Sequence, residues 1–182
     1  MQPWLHLAVT ARAGAPGEWV LLQYRLPREP STPRSAVWRR LRRLGVAQLS
    51  DGLVALPSDA RTREQLEWVA ANVREAVGTA GVWLARPASA EQEREIASAM
   101  TLARAQEYRA VRSEAEAVAG LADAERVRVA RRLREELRRI RRRDFFPPAE
   151  RDTAVAAVEE IAAGTTAADR TGEATTAAPG PA

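Results

Sequence analysis

The fold is decided by residues 19–57, which read WVLLQYRLPREPSTPRSAVWRRLRRLGVAQLSDGLVALP. The first part, Trp19–Leu26, is apolar, aromatic and β-branched, a composition that is typical of a buried strand. Residues 31–33 (Ser-Thr-Pro) predict a helix start with a hydroxyl cap and a proline in the first turn. Apolar residues at helical spacing continue this helix until Gly45. The stretch therefore predicts a strand followed by a helix.

The following segment adds two strands, a helix and a further strand. Residues 46–50 and 53–56 are predicted strands around Asp51-Gly52, a dipeptide that favours a tight hairpin turn because glycine adopts positive φ. A capping-box pattern at residues 62–65 predicts a second helix, and residues 81–85 a last strand. The apolar stripe of the second helix is Leu66, Val69, Ala70, Val73 and Val77. The order β-α-β-β-α-β is the split βαβ arrangement of ferredoxin-like domains, with helices on one sheet face.

The C-terminal half is predicted to be helical. A second capping box at residues 89–92 opens a helix that continues to about Ala119, and Gly120 breaks it. A further helix extends from Asp123 to Arg143, and we expect the two helices to pair as an antiparallel αα-hairpin.

Four parts therefore follow from the sequence, and the fold class is α+β. They are a flexible leader or edge strand at 1–17, a ferredoxin-like domain at 18–88, an α-helical hairpin plus a short helix at 89–163, and a disordered tail at 164–182. The tail contains no large apolar residue, so its burial cannot offset the entropy of ordering it.

Composition excludes several classes of chemistry. The 182 residues include no Cys and one His, which excludes disulfides, thiolate metal ligands, Cys nucleophiles and multi-His sites. That histidine, His6, lies in the leader, and the chain has neither a nucleophile-elbow serine nor a dinucleotide-binding glycine motif. We expect no catalytic residue, metal site or cofactor, and hence no enzyme. No segment is apolar and long enough for a bilayer, and no secretory signal is present, which predicts a cytoplasmic protein without membrane contact.

Positive charge is concentrated in two blocks. Residues 19–45 carry seven Arg and one Glu, and residues 120–143 carry ten Arg and four acids, so each block has a net charge of +6. Arg39 and Arg43 are one helical turn apart and share a flank on which they could contact phosphates of a nucleic acid. The residues that we expect to bind nucleic acid are Arg25, Arg28, Arg34, Arg39, Arg40, Arg42, Arg43, Arg131, Arg138 and Arg142.

Each block also has a structural interpretation. The first could be a solvated helix face whose Arg side chains cover Trp38, and the second could supply Arg partners for Glu107 and Glu114 at the margins of the helical hairpin. Converging Arg side chains and the predicted helix start at residues 28–35 could also bind an oxyanion such as chromate. Two prolines in that segment remove amide donors, which disfavours this use.

Several aromatic residues are candidates for partner contacts. Trp68 lies opposite the apolar stripe of its helix, so we expect it to pack on the helical hairpin or on a second copy. Phe145 and Phe146 are expected to close the end of the hairpin, with base stacking as the alternative. The remaining tryptophans of the folded part are interpreted as core or core-edge residues, and they are Trp19, Trp38 and Trp83.

The residue 19–57 stretch, REQLEW at 63–68, VWLARP at 82–87, Glu107-Tyr108 and RRIRRRDFFPP at 138–148 together resemble the N-terminal domain of the chromate-resistance ChrB family. The resemblance covers roughly residues 19–160 and implies a bacterial cytoplasmic regulator of a chromate efflux operon that responds to chromate. The ferredoxin-like half is also similar to the middle domain of PaaX repressors and to the ferredoxin-like nuclease subunit of CRISPR adaptation complexes. That nuclease needs an acidic metal ligand after its first strand, where this chain has Tyr24-Arg25, so we expect no nuclease activity. Full-length ChrB proteins carry a second, C-terminal domain, in whose place this sequence has the low-complexity tail.

The first hypothesis is a transcriptional regulator that binds DNA through both Arg blocks as a homodimer, paired through the open sheet face. The alternative is a non-catalytic scaffold that binds an acidic protein and never contacts DNA. A third hypothesis is direct sensing of chromate by an Arg cluster.

Overall fold

The computed structural model describes residues 17–118 and 120–173, apart from the side chains of residue 162 and of residues 164–173. The chain divides into two compact units, Met1–Ser98 and Ala99–Ala182. The predicted leader, except Gly17, and residues 174–182 of the predicted tail lie outside the described residues.

The first unit has the predicted element order β-α-β-β-α-β, followed by the start of a third helix. Its elements are β1 (Trp19–Arg25), α1 (Ser31–Leu44), β2 (Ala47–Ser50), β3 (Leu53–Pro57), α2 (Ala60–Glu75) and β4 (Thr79–Ala85). The strands form one antiparallel sheet in the order β2-β3-β1-β4. Because β1 pairs with β4 in antiparallel orientation, the end of β1 lies beside the start of β4, with Arg25 opposite Thr79.

Alternation along the strands determines which sheet face is covered. Val20 and Leu22 of β1 are fully buried and pair with the buried Leu56 and Val54 of β3. These side chains share one face because successive strand residues point to opposite sides. Helices α1 and α2 supply the other buried apolar residues of this core, namely Val37, Leu41, Leu66, Val69, Ala70 and Val73.

The β2–β3 connection is the tight turn predicted at Asp51-Gly52. Gly52 has a φ of 73°, and the Tyr24 amide donates a hydrogen bond of 2.7 Å to its carbonyl. A Cβ at this position would lie 2.3 Å from the Tyr24 carbonyl oxygen. Glycine is therefore required both by the backbone conformation and by the close approach of β1.

The predicted helix starts need correction. In α1, Ser31 is the first helical residue and the N-cap is Pro30, which makes no side-chain cap, so the predicted hydroxyl cap is wrong. In α2 the capping box joins Asp59 and Thr62, three residues before the predicted one, because the Asp59 carboxylate already accepts the Thr62 amide at 2.6 Å. The Ser89 cap of the third helix is confirmed, since its hydroxyl accepts the Gln92 amide at 3.2 Å.

The end of α2 also differs from the prediction. The helix stops at Glu75, so Val77 leaves the apolar stripe and is 85% exposed, with a φ of 59°. The Gly78 amide donates to the Val73 carbonyl and the Val77 amide to that of Arg74. This is the Schellman pattern, in which the left-handed position is usually occupied by glycine.

The second unit is helical throughout its described elements. Helix α3 (Ala90–Ala117) enters it from the first unit, and α4 (Asp123–Arg141) and α5 (Glu150–Glu173) follow. Helix α5 extends beyond Ala163, where the predicted short helix ends, into residues 164–173 of the predicted disordered tail, although glycine and threonine there have low helix propensity. The three helices share one core, formed by Tyr108, Val111, Ala115, Val118, Ala130, Leu133, Leu137, Ile140, Ala154, Val158 and Ile161. Within the described residues, no helix is long and apolar enough to cross a membrane.

Candidate nucleic-acid interface

Helix α1 presents a dense group of arginines, which we call the α1 arginine face: Arg34, Arg39, Arg40, Arg42 and Arg43. All are exposed except Arg40, which is partly buried, and α1 contains no acidic residue. Within residues 17–118 and 120–173, none of the five forms a salt bridge to a carboxylate. Their positive charge is therefore not neutralised by a neighbouring group of the described chain.

One member of this face contacts an aromatic ring. The Arg42 guanidinium lies 4.8 Å from the centroid of the Trp38 ring. At this distance the cation is attracted by the electron-rich face of the indole. The expectation that an arginine covers Trp38 is therefore met at Arg42.

An open cleft of about 1400 Å³ lies beside the α1 arginine face, at the end of the sheet. We call it the α1 cleft, and its charged or aromatic walls include Tyr24, Arg25, Arg34, Trp38, Arg39, Asp51 and Trp83. It brings together three of the predicted nucleic-acid-binding residues, from β1 and α1. The other predicted residues of the first block, Arg28, Arg40, Arg42 and Arg43, do not line it.

The cleft wall also contains groups that form hydrogen bonds without a permanent positive charge. Burial raises the pKa of the Tyr24 phenol, while the nearby Arg34 lowers it and Asp51 raises it. Tyr24 thus keeps its proton at neutral pH, and the charges of both Arg34 and Asp51 act on it. Ser35 and Gln48 add a hydroxyl and an amide to the same wall.

The second Arg block has a different role. Arg132 pairs with Glu114 and Arg134 with Glu159, joining α4 to α3 and α5 respectively. Arg139 pairs with Glu136 at 3.2 Å within α4. These contacts match the interpretation of the second block as a source of partners for helix-borne acids, including the predicted Glu114.

A partly buried ionic group lies where α3 meets the end of α4. The Glu107 carboxylate binds Arg104 at 3.1 Å and Arg143 at 2.9 Å, and these arginine side chains are only 11% and 17% exposed. Tyr108, which is fully buried, donates its hydroxyl to Asp144 at 2.9 Å. Burial lowers the pKa of Arg104 and raises that of Tyr108, which Asp144 raises further. Sequence reasoning predicted Arg partners for Glu107 but missed Arg104 and the Tyr108–Asp144 bond.

The three nucleic-acid candidates of the second block are all exposed. Arg131 forms no salt bridge to a carboxylate of the described chain, and Arg138 approaches Glu135 at 3.8 Å. Arg142 is the C-cap residue of α4. Their role in nucleic-acid binding stays a prediction.

The aromatic candidates divide into exposed and partly buried residues. Trp68 is 58% exposed on α2, and Phe145 and Phe146 are partly buried after α4. Of the tryptophans predicted as core or core-edge residues, Trp19 is buried, but Trp38 and Trp83 are 49% and 59% exposed. Trp83 pairs with Leu21 of β1 and lies on the edge strand β4, whereas Trp19 lies on the central strand β1.

The described residues contain no group of three or more His, Asp or Glu side chains that could hold a metal ion. His6 lies outside these residues.

Comparison with known proteins adds a family. A family model described as "Protein ChrB, N-terminal" matches residues 34–175, more than three quarters of the chain. The chain belongs to the ChrB family. The match contains the α1 arginine face, the ionic group around Glu107 and the core of the second unit.

One ChrB protein is similar to most of this chain. Protein ChrB of Cupriavidus metallidurans is 32% identical over 133 residues, which are 71% of this chain and 40% of that protein. The chain therefore spans less than half the length of this ChrB relative. No solved structure matches the chain.

Proposed function

We propose that this ChrB-family chain is a cytoplasmic regulatory protein associated with chromate resistance, and that it binds DNA through the α1 arginine face. The observation that carries the DNA-binding part is the contrast between two helices. The arginines of α1 have no carboxylate partner in the described chain, whereas Arg132, Arg134 and Arg139 of α4 are in salt bridges. Cations that are not neutralised within the protein remain available for phosphates.

The arrangement of α1 suits a phosphate backbone. Arg39 and Arg43 are separated by one helical turn, which places both guanidinium groups on one flank. Arginine also binds phosphate oxygens through two parallel N–H donors, so neighbouring arginines can fix the position of a duplex. We assign this binding to α1 rather than to both blocks, because α4 uses many of its arginines within the second unit.

The association with chromate resistance rests on membership of the ChrB family. We also propose that the first unit is a ferredoxin-like domain, since its β-α-β-β-α-β order and its antiparallel β2-β3-β1-β4 sheet are those of a split βαβ fold.

A scaffold role without DNA is the second candidate. The observation that favours it is Trp68, a large apolar side chain that is 58% exposed on α2. Exposed aromatic residues are frequent at protein interfaces.

The test is binding of the chain to DNA from the promoter of its own operon, measured by fluorescence anisotropy at several salt concentrations. The logarithm of the affinity should fall with the logarithm of salt, with a slope of about −0.9 per phosphate engaged. Arg39→Ala with Arg43→Ala should weaken binding several-fold. The slope should become less negative by the amount expected for the loss of two phosphate contacts.

Arg128→Ala with Arg132→Ala is the matched control, because it removes two arginines at the same spacing from α4. Circular dichroism should show native helix content in both double variants. Absence of binding at low salt, or an equal loss in both, would reject the assignment to α1.

A further inference from the structure

The α1 cleft contains more than duplex binding requires. Neutralising a phosphate backbone needs exposed cations, which Arg42 and Arg43 already provide outside the cleft. The cleft adds an indole, a neutral phenol and a carboxylate beside its arginines. Arginine binds anionic groups and an indole stacks on flat rings, so the cleft can contact a ligand that has both.

We propose that the α1 cleft binds a free nucleoside monophosphate, with its phosphate on Arg34 and Arg39 and its base against Trp38. The inference goes beyond the proposed function, because it concerns a small ligand and not the duplex.

The anionic group of the ligand is indicated by the two guanidinium groups on the α1 wall. Arg34 and Arg39 line the cleft and, within the described chain, have no carboxylate in salt-bridge distance. Two such forks supply the donors that a terminal phosphate accepts. The hydroxyl of Ser35 lies on the same wall, between them in sequence.

The flat ring is indicated by Trp38, which lines the cleft and is 49% exposed. Because the Arg42 guanidinium stacks on its ring at 4.8 Å, the indole is held in place before a ligand arrives. Base stacking on an aromatic side chain tolerates any base, since every base has a π face.

Asp51 and Tyr24 distinguish a nucleotide from a simple oxyanion. A carboxylate in the cleft repels an anion that offers only acceptors. A nucleotide also carries ribose hydroxyls and base N–H groups, which can donate to Asp51. Tyr24, kept protonated by its raised pKa, can donate to the ligand or accept from it.

The cleft is large enough for this ligand class. Small-molecule sites typically measure about 300–1,000 Å³, and the open cleft of about 1400 Å³ is somewhat larger. It therefore admits a whole nucleotide, and it is larger than a tetrahedral oxyanion requires.

The experiment is isothermal titration calorimetry of the full chain with AMP, inorganic phosphate and adenosine. We expect saturable binding of AMP that is at least ten-fold tighter than that of phosphate or adenosine alone. Arg34→Ala with Arg39→Ala should weaken AMP binding at least ten-fold, and Trp38→Ala about five-fold or more, in the range of base–aromatic stacking.

Two matched variants separate this site from the DNA surface. Arg40→Ala with Arg43→Ala removes the same charge from the same helix but leaves the cleft wall intact, so AMP affinity should change less than three-fold. Trp68→Ala removes another exposed indole, from α2, and should leave AMP affinity unchanged. Duplex binding should weaken in both arginine double variants, whereas AMP binding should weaken only in Arg34→Ala with Arg39→Ala. Failure of the DNA proposal and failure of the nucleotide proposal therefore give different results.

Four outcomes would overturn the proposal. They are no saturable heat with AMP, equal affinity for AMP and inorganic phosphate, an equal loss of AMP affinity in the two arginine pairs, and binding of a six-nucleotide single strand a hundred-fold tighter than AMP. The last result would assign the cleft to a nucleic-acid strand instead of a free nucleotide.

Discussion

The two arginine-rich helices come from sequence blocks of equal net charge, and the folded chain treats them differently. Arginines of α4 reach across to Glu114 on α3 and Glu159 on α5, so part of their charge is used inside the second unit. The arginines of α1 have no such partner in the described chain, and their helix contains no acid. Net charge per segment therefore does not locate a binding surface, because acids on neighbouring helices decide which arginines are paired.

The largest expected effect on stability concerns the paired arginines of the second unit. Glu107→Ala removes the carboxylate that Arg104 and Arg143 share, and both arginine side chains are largely buried. Leaving buried charges unpaired should lower the free energy of unfolding by about 3 kcal/mol. Urea denaturation measures this loss.

Arg43→Ala on α1 is the matched control for that experiment. It removes an exposed arginine without a carboxylate partner, so its stability change should stay within about 0.5 kcal/mol. Equal changes in the two variants would contradict the distinction between a paired and an available arginine block.

The second prediction concerns the hydroxyl of Tyr108. Tyr108→Phe removes its donor to Asp144 in a fully buried position and should cost about 2 kcal/mol at pH 7. Burial raises the pKa of the folded Tyr108 above the ordinary 10.0. The stabilisation that Tyr108 provides is therefore complete below pH 10 and is lost as the pH rises, since the unfolded chain ionises first.

The measurement is the free energy of unfolding of both proteins between pH 8 and pH 11.5. The wild type should lose more stability than Tyr108→Phe above pH 10, so that the difference between them narrows. A remaining slope is expected in both, because the pKa of Tyr24 is also raised. Parallel curves would show that Tyr108 is not the titrating group.

Sequence alone predicted the elements of the first unit because their signals are local. Apolar spacing identifies β1 and α1, and Asp51-Gly52 identifies the hairpin turn. The cap of α2 differs from the prediction because Thr62 suits two positions: a threonine can be the cap itself, but here it is the residue three places after the cap Asp59.

The α1 cleft and the ionic group could not be predicted in the same way. The cleft depends on sheet order, which brings Arg25 to Thr79, a pairing between residues more than 50 positions apart. The Tyr108–Asp144 bond joins a residue of α3 to one in the segment after α4, 36 positions away. Neither the cleft nor the ionic group has a short-range sequence pattern. In the ionic group, two adjacent residues contact two other adjacent residues: Glu107 pairs with Arg143, and Tyr108 with Asp144.

In the first unit, the backbone is strained at Val77, which has a φ of 59°. A β-branched residue in the left-handed region is unfavourable, and this side chain is 85% exposed. Val77→Gly should therefore raise the free energy of unfolding by about 1 kcal/mol. Ala76→Gly is the control, because Ala76 has a φ of −85° and gains nothing from glycine. A loss of stability in Val77→Gly would show that this valine makes a compensating contact.

The fourth prediction has the smallest effect and concerns the exposed ion pairs of the second unit. Arg132 and Glu114 are 58% and 44% exposed, so water screens their attraction. A double-mutant cycle of Arg132→Ala and Glu114→Ala should give a coupling energy of about 0.5 kcal/mol that falls further in 1 M salt. The same cycle with Arg39→Ala in place of Arg132→Ala should give zero coupling, because Arg39 forms no salt bridge with Glu114. If the Arg132 cycle also gave zero, the pairing of α4 would no longer explain why its arginines are unavailable, and the second block would become a candidate DNA surface equal to α1.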